Sequence, residues 1–270
     1  MAALIGSRTM GHRIAAWAAF AVGVLYFLVP LVGTVEFSLR IRRGGYSLGA
    51  YANVLNDPAF WSTFGFSAAA AVATILVGTL LVVPTAYWIR LKLPRLRPVV
   101  EFITLMPLVV PAIVLVFGYL RLYNSSPWLP LTGQTWSTDV LLVFGYVVLA
   151  LPYLYRAVDT GLRSIDLRSL TEAAESLGAR RATILFRVIL PNVRAAVLSG
   201  AFLTFAIVIG EFTLASLLDR PAFGPYLQNV GANKAYEPSA LAFIAFAVTW
   251  ACMGLIQLFA RDPAARSVKV

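Results

Sequence analysis

The chain has 270 residues, 60% of them hydrophobic and only 13% charged, with a mean hydropathy of +0.80. Soluble domains carry about 25% charged residues, so this deficit excludes an ordinary soluble protein and points to an all-α membrane protein. One cysteine (Cys252) and one histidine (His12) leave no internal disulfide and no Cys- or His-cluster metal site, and the net charge of +10 reads as basic residues setting membrane topology, not as a nucleic-acid surface.

Six apolar segments follow, each near the roughly 20 residues that cross a bilayer as a helix. The first, 14–36, comes after Arg8 and Arg13. It is too long for a signal-peptide core and no small-x-small cleavage site follows it closely, so it reads as an uncleaved span. The loop 38–62 suits a short interfacial helix anchored by Tyr46, Tyr51, Phe60 and Trp61. The second and third spans are 64–88 and 99–120. Pro107 and Pro111 lie four apart and share one face of the third span, while Pro30, Pro84 and Pro152 lie in or beside other spans. Each proline removes a backbone hydrogen bond. Two readings stand: packing geometry, or a bent helix lining a pathway that opens and closes. Residues 124–136, rich in Ser, Pro, Gly and Thr, read as an external loop. The remaining spans are 140–155, 195–218 and 241–258, and a short basic tail follows Arg261. With no internal repeat and no soluble insert, 1–270 reads as a single transmembrane domain.

Six spans put both termini on one side. If that side is the cytoplasm, 16 of the 22 basic residues are inside and 6 outside, the bias that the positive-inside rule expects. The cluster Arg40, Arg42 and Arg43 runs against it.

The connection 160–194 between spans four and five is the longest and the most charged. Asp166 or Ser169 can cap a helix start. Leu170, Ala173, Ala174 and Leu177 follow at i, i+3, i+4 and i+7, an apolar stripe. Glu172 and Glu175 lie in its first turns, where negative charge suits the helix dipole. Gly178 stands where a left-handed residue ends a helix, and a second helical stretch runs from about Ala179 to Pro191. The two alanines permit close approach of another backbone, and Glu172, Glu175, Arg180 and Arg181 suit charge-assisted pairing across an interface. A docking helix and a loop packed on its own bundle both fit these residues.

The spacing carries a resemblance. Glu172-Ala173-Ala174, three residues, Gly178, nine residues, then Val188-Ile189-Leu190-Pro191 resembles the signature of permease subunits of binding-protein-dependent ABC importers, with Val188 in place of the usual Ile. The resemblance implies a six-helix fold of the MetI-like type with a cytoplasmic coupling helix between helices 4 and 5. It implies two cytoplasmic ATPase subunits that bind ATP and Mg, a second permease subunit (copy or homologue), a periplasmic or extracellular solute-binding protein, and a place in the bacterial inner membrane. Glu172 is then expected to pair with a basic group of the ATPase, Ala173 and Ala174 to allow close contact, Gly178 to make the turn, and Leu190-Pro191 to return the chain to the fifth span. This chain has no phosphate-loop motif, so no cofactor is expected in it, and it reads as a transport subunit and not an enzyme. No HExxH or GxGD occurs to favour an intramembrane enzyme, and a channel needs no docking helix.

Glu211 lies in the fifth span, 17 residues beyond Arg194, about 25 Å along a helix. An ionisable group there is a gate or translocation residue by default, or else pairs near the outer interface. Gly210 beside it permits close helix approach or distortion. The triplet Gly210-Glu211-Phe212 resembles permeases of the iron, thiamine, molybdate, sulfate and polyamine importer branches. A lone carboxylate favours a cationic cargo, hence a polyamine such as spermidine or putrescine, with ferric iron, an aminophosphonate, thiamine or an oxyanion still open.

Overall fold

The computed structural model describes residues 2–40, 45–124 and 130–260. Arg42, Arg43 and the basic tail beyond Arg261 lie outside the described residues, as do 125–129 of the expected external loop. Every regular element among the described residues is helical: α1 (Ala2–Ser38), α2 (Gly49–Leu55), α3 (Pro58–Leu91), a 3₁₀ turn (Pro94–Leu96), α4 (Arg97–Val109), α5 (Ala112–Tyr123), α6 (Thr135–Arg163), α7 (Leu167–Ser176), α8 (Arg181–Thr183), a π-helical turn (Ile184–Ile189), α9 (Leu190–Asn192), α10 (Arg194–Gly210), α11 (Thr213–Leu217), α12 (Phe223–Asn233) and α13 (Glu237–Ala260). By length and composition, Ala15–Ser38, α3 and α6 can each cross a membrane, and counting each of two bent helix pairs as one span raises this to five.

Two expected spans are not continuous. The third breaks at Val110, with 98° between its two arms. Pro111 cannot donate a backbone hydrogen bond and disfavours helical geometry at the residue before it, and Val110 is extended (φ −85°, ψ 114°). Pro107 therefore lies inside α4 and Pro111 at the start of α5, and the two do not share one helix face as their spacing suggested. The fifth span ends as a helix at Gly210, because Glu211 is extended (φ −78°, ψ 128°). The fourth, by contrast, outruns its apolar stretch. α6 continues unbroken past 155 to Arg163, since the charges in its last two turns are matched by neighbouring helices.

The described chain forms two compact units. One comprises residues 1–57 with 230–244. In it the Ser38 and Tyr51 hydroxyls lie 2.7 Å apart, Phe37 packs on Tyr236, and Asn53 donates to Glu237 at 3.1 Å. Within 38–62 a short helix forms as α2, while Phe60 and Trp61 belong to α3. None of the apolar window of α1 is buried, so Trp17, Phe20, Tyr26 and Phe27 present an apolar surface.

The second unit, residues 58–229 with 245–270, is organised around α3, α6 and α10. A Cβ at Gly161 of α6 would collide with the Ala196 side chain of α10, so these helices pack at a distance that only small residues allow. Its core has two parts. One gathers Val83, Tyr87, Leu154, Val158 and Leu162 with Leu167, Ala174 and Ile184. The other gathers Ala71, Val116, Leu142 and Tyr146 with Val208, Leu214 and Ala222.

Candidate functional site

α7 is a short amphipathic helix with both ends fixed locally. Asp166 is its N-cap: the carboxylate accepts from the Ser169 amide at 3.1 Å and from the Ser169 hydroxyl at 2.7 Å. The Ser169 hydroxyl, then its amide, hold the Asp166 carboxyl below its ordinary range. The C-terminus closes as a Schellman motif. Gly178 takes φ +76°, its amide donates to Glu175 at 2.9 Å, and the Ala179 amide donates to Ala174 at 3.0 Å.

The face that α7 buries differs from the expected stripe. Leu167, Thr171 and Ala174 are buried and Leu170 is half-buried, whereas Ala173 is exposed and Leu177 is 89% exposed. Positions 167, 170, 171 and 174 fit the core below, and Thr171 lies 3.3 Å from the Tyr87 hydroxyl of α3. The outer face then carries Ala173, Leu177 and Glu172. Glu172 is engaged within its own helix, accepting from Arg168 Nε at 2.7 Å with both side chains largely exposed. That bond, together with the charge of Glu172, raises the pKa of Arg168. Arg180 and Arg181 stand exposed beyond the turn, with Arg180 extended as the N-cap of α8.

From α8 the chain returns through a π-helical turn. Pro191 has no amide to give to the residue 187 carbonyl and its ring crowds that carbonyl; the wider π winding lies immediately before it. Ile184, Leu185 and Ile189 are buried in the same core as Ala174, Leu190 packs against it, and Pro191 is exposed. At Val193 (φ −105°, ψ 10°) the chain turns by 78° into α10.

Beside α7 lies an ionic cluster that spans three helices. Asp159 of α6 is buried. It accepts from Arg90 of α3 at 2.7 Å and from Arg163 at 2.8 Å, with Arg97 of α4 at 3.7 Å. Arg97 is held by Glu101 at 2.8 Å. Sequence reasoning missed Asp159 because it ended the fourth span at 155. The legible signal was the spacing of Asp159 and Arg163, four apart and of opposite sign.

Glu211 occupies the second interruption. Its carboxylate accepts from the Leu214 amide at 3.0 and 3.1 Å and from the Ala215 amide at 3.3 Å, capping α11. The buried Tyr146 hydroxyl is within electrostatic reach of that carboxylate but makes no well-oriented hydrogen bond. Close backbone approach here belongs to Gly224 and not to Gly210. A Cβ at Gly224 would collide with the Glu211 carbonyl oxygen, whereas one at Gly210 meets nothing within 4 Å. Ser67 of α3 accepts from the Phe223 amide at 2.8 Å, which fixes the start of α12 against the break.

A family profile described as binding-protein-dependent transport system inner membrane component matches residues 83–266. A probable molybdenum ABC transporter permease of Haloferax volcanii is 31% identical over 190 residues, covering 70% of this chain and 67% of the relative. The spermidine/putrescine transport system permease PotC of Escherichia coli is 25% identical over 256 residues, covering 93% of each. Among solved structures, a bacterial ABC transporter involved in import of the acidic polysaccharide alginate aligns with a TM-score of 0.65 at 15% identity, over 91% of this chain and 96% of that one. At that identity the likeness concerns the fold alone.

Proposed function

The chain belongs to the family of binding-protein-dependent transport system inner membrane components, and from that premise we propose that it forms half of the solute pathway of an ATP-driven importer. In this reading α1, α3, the α4/α5 pair, α6, α10 and α13 are the six spans, and both termini face the cytoplasm. α7 is the coupling helix. It docks on a cytoplasmic ATPase through Glu172, Ala173 and Leu177, with Ala174 and Gly178 setting its packing and its end. Arg180 and Arg181 flank the contact, and Leu190-Pro191 carry the movement into α10. Two ATPase subunits bind ATP and Mg, a second permease completes the pathway, and an external binding protein delivers cargo.

The observation that supports this best is the division of α7 into two faces. One is buried on the ends of α3 and α6, and the other leaves Leu177 89% exposed beside Ala173. Exposed leucine next to a small residue at the tip of a rigid helix suits a protein groove. The test is copurification of the chain with an ATPase in fixed ratio, together with ATP-dependent uptake in vesicles. Purification as a lone polypeptide that conducts solute without ATP would overturn the reading.

The two helix interruptions, Pro107 with Pro111 and Gly210 with Glu211, are the hinges we assign to the pathway. The proposed cargo is a polyamine, spermidine or putrescine, supported by relatives of nearly full length such as PotC. A second reading, an oxyanion, is favoured by one observation: the Glu211 carboxylate is occupied by the Leu214 and Ala215 amides, which weakens it as a lone counter-charge for a cation. The relative named for molybdenum supports the same reading. Uptake of labelled putrescine against labelled molybdate by the reconstituted complex separates the two.

A further inference from the structure

α4 and α6 lie side by side and share a polarity gradient. On α4, Arg97, Glu101, Thr104, Leu105 and Leu108 follow at i, i+4, i+7, i+8 and i+11, on one side of the helix. On α6 the matching sequence, read backwards from its end, is Arg163, Thr160, Arg156 and Tyr153. Two cavities lie along these faces. One of about 420 Å³ is lined by Arg97, Arg156 and Arg163 with Glu101 and Asp159. The other, also about 420 Å³, is an apolar groove that includes Leu105, Leu108, Tyr153 and Leu203 of α10. Leu105, Pro152, Arg156 and Thr160 line both, so the two adjoin.

The charges in the polar cavity do not balance. Asp159 is committed to Arg90 and Arg163, and Glu101 to Arg97. Arg156 has no carboxylate within ion-pair distance among the described residues, and it lines both cavities. The polar end is the end of α6 that leads into α7. From Arg163 to Tyr153 is ten residues, about 15 Å of helix, or half of a roughly 30 Å hydrocarbon core. The lining therefore runs from charged to apolar over the depth of one leaflet.

We infer that these adjoining cavities bind one anionic phospholipid from the leaflet on the α7 side. Its phosphate sits at Arg156, flanked by Arg97 and Arg163, and an acyl chain lies along Leu105, Leu108 and Leu203. Basic pockets between membrane helices recognise anionic head groups through this chemistry. A phospholipid supplies both parts in the order in which the lining presents them. The inference rests on the chain being a membrane permease and is independent of its cargo.

The test is native mass spectrometry of the assembled complex taken from bilayers of phosphatidylcholine mixed with phosphatidylglycerol. One retained phosphatidylglycerol per copy of this chain is expected, and inorganic phosphate in excess does not displace it. Arg156→Gln lowers retention about fivefold, in line with the loss of one basic group near a lipid surface. Leu108→Trp fills the groove and lowers retention without altering charge, so the site remains testable if Arg156→Gln folds poorly. Lys92→Gln, outside both cavities, leaves retention unchanged. Equal retention by wild type and both cavity variants overturns the inference. Displacement by phosphate does so as well, as does retention by the permease alone but not by the assembled complex. A complex that transports solute but retains no phosphatidylglycerol refutes the site and leaves the importer reading intact. A chain that retains the lipid but joins no ATPase does the reverse.

Discussion

The chain is interrupted as a helix in two instructive places, and they are held by different means. α7 ends in devices that come from its own neighbours in sequence: the Asp166 cap three residues from its target amide, and the Gly178 turn closed onto Ala174 and Glu175. The break at Glu211 also has a local cap, onto Leu214 and Ala215. Its shape, however, depends on residues from elsewhere in the chain, including Gly224 against the Glu211 carbonyl and Ser67 on the Phe223 amide. A surface helix that meets water needs only its backbone ends satisfied. A break within an apolar segment must also find protein partners for freed backbone groups, because lipid offers none.

The largest effect is expected at the remote partner. Gly224→Val places carbon onto the Glu211 carbonyl oxygen, an overpacking that costs about 1–3 kcal/mol or more. The outcome is a lowered melting temperature in detergent and loss of uptake together. Next is Glu172→Arg, which we expect to leave membrane level and melting unchanged but to abolish ATP-driven uptake; normal uptake by that variant removes α7 from the coupling role. Glu211→Ala leaves the Leu214 and Ala215 amides without their acceptor, at a cost of about 1–3 kcal/mol. Glu211→Gln keeps an acceptor oxygen and is expected to retain most of that stability. If Glu211→Gln melts like wild type yet no longer transports, the carboxylate charge itself acts on cargo or gating.

Smaller changes are expected at the local devices. Gly178→Ala forces a side chain into the left-handed region at roughly 1 kcal/mol, read as faster hydrogen exchange in the last turn of α7. The Asp166 cap is pH-dependent. Its carboxyl is held below the ordinary value in the folded helix, so its contribution is complete above that ordinary value and is lost as pH falls through the depressed one. First-turn amides of α7 should therefore exchange faster in acid, and Asp166→Asn, which caps without titrating, should remove that dependence.

This contrast also governs what the sequence reveals. The turn at Gly178 and the cap at Asp166 are readable because cause and effect lie within five residues. The orientation of α7 is not, since 170/173/174/177 is the wholly apolar stripe while 167/170/171/174 includes Thr171, and only the core containing Tyr87 and Leu162 selects the second. Glu211 stands out as a charge in an apolar run, but a continuous helix and a capped break look alike until α11 and α12 are folded around it. Asp159 was hidden for the opposite reason. It lies past the apolar run, where sequence alone assigns a loop, and only Arg90, 69 residues away, explains why the helix continues.

The π-helical turn between α7 and α10 has a consequence for how the two are phased. One residue advances an α-helix by about 100°, and the π winding of Ile184–Ile189 takes up one extra residue within its wider turn. Deleting one residue there would let the segment relax to ordinary α winding. What lies downstream keeps its phase, whereas the same deletion in an ordinary α-helical turn would rotate it by about 100° relative to α7. The turn works as a slack link: it takes in a residue of sequence without passing it on to α10 as rotation.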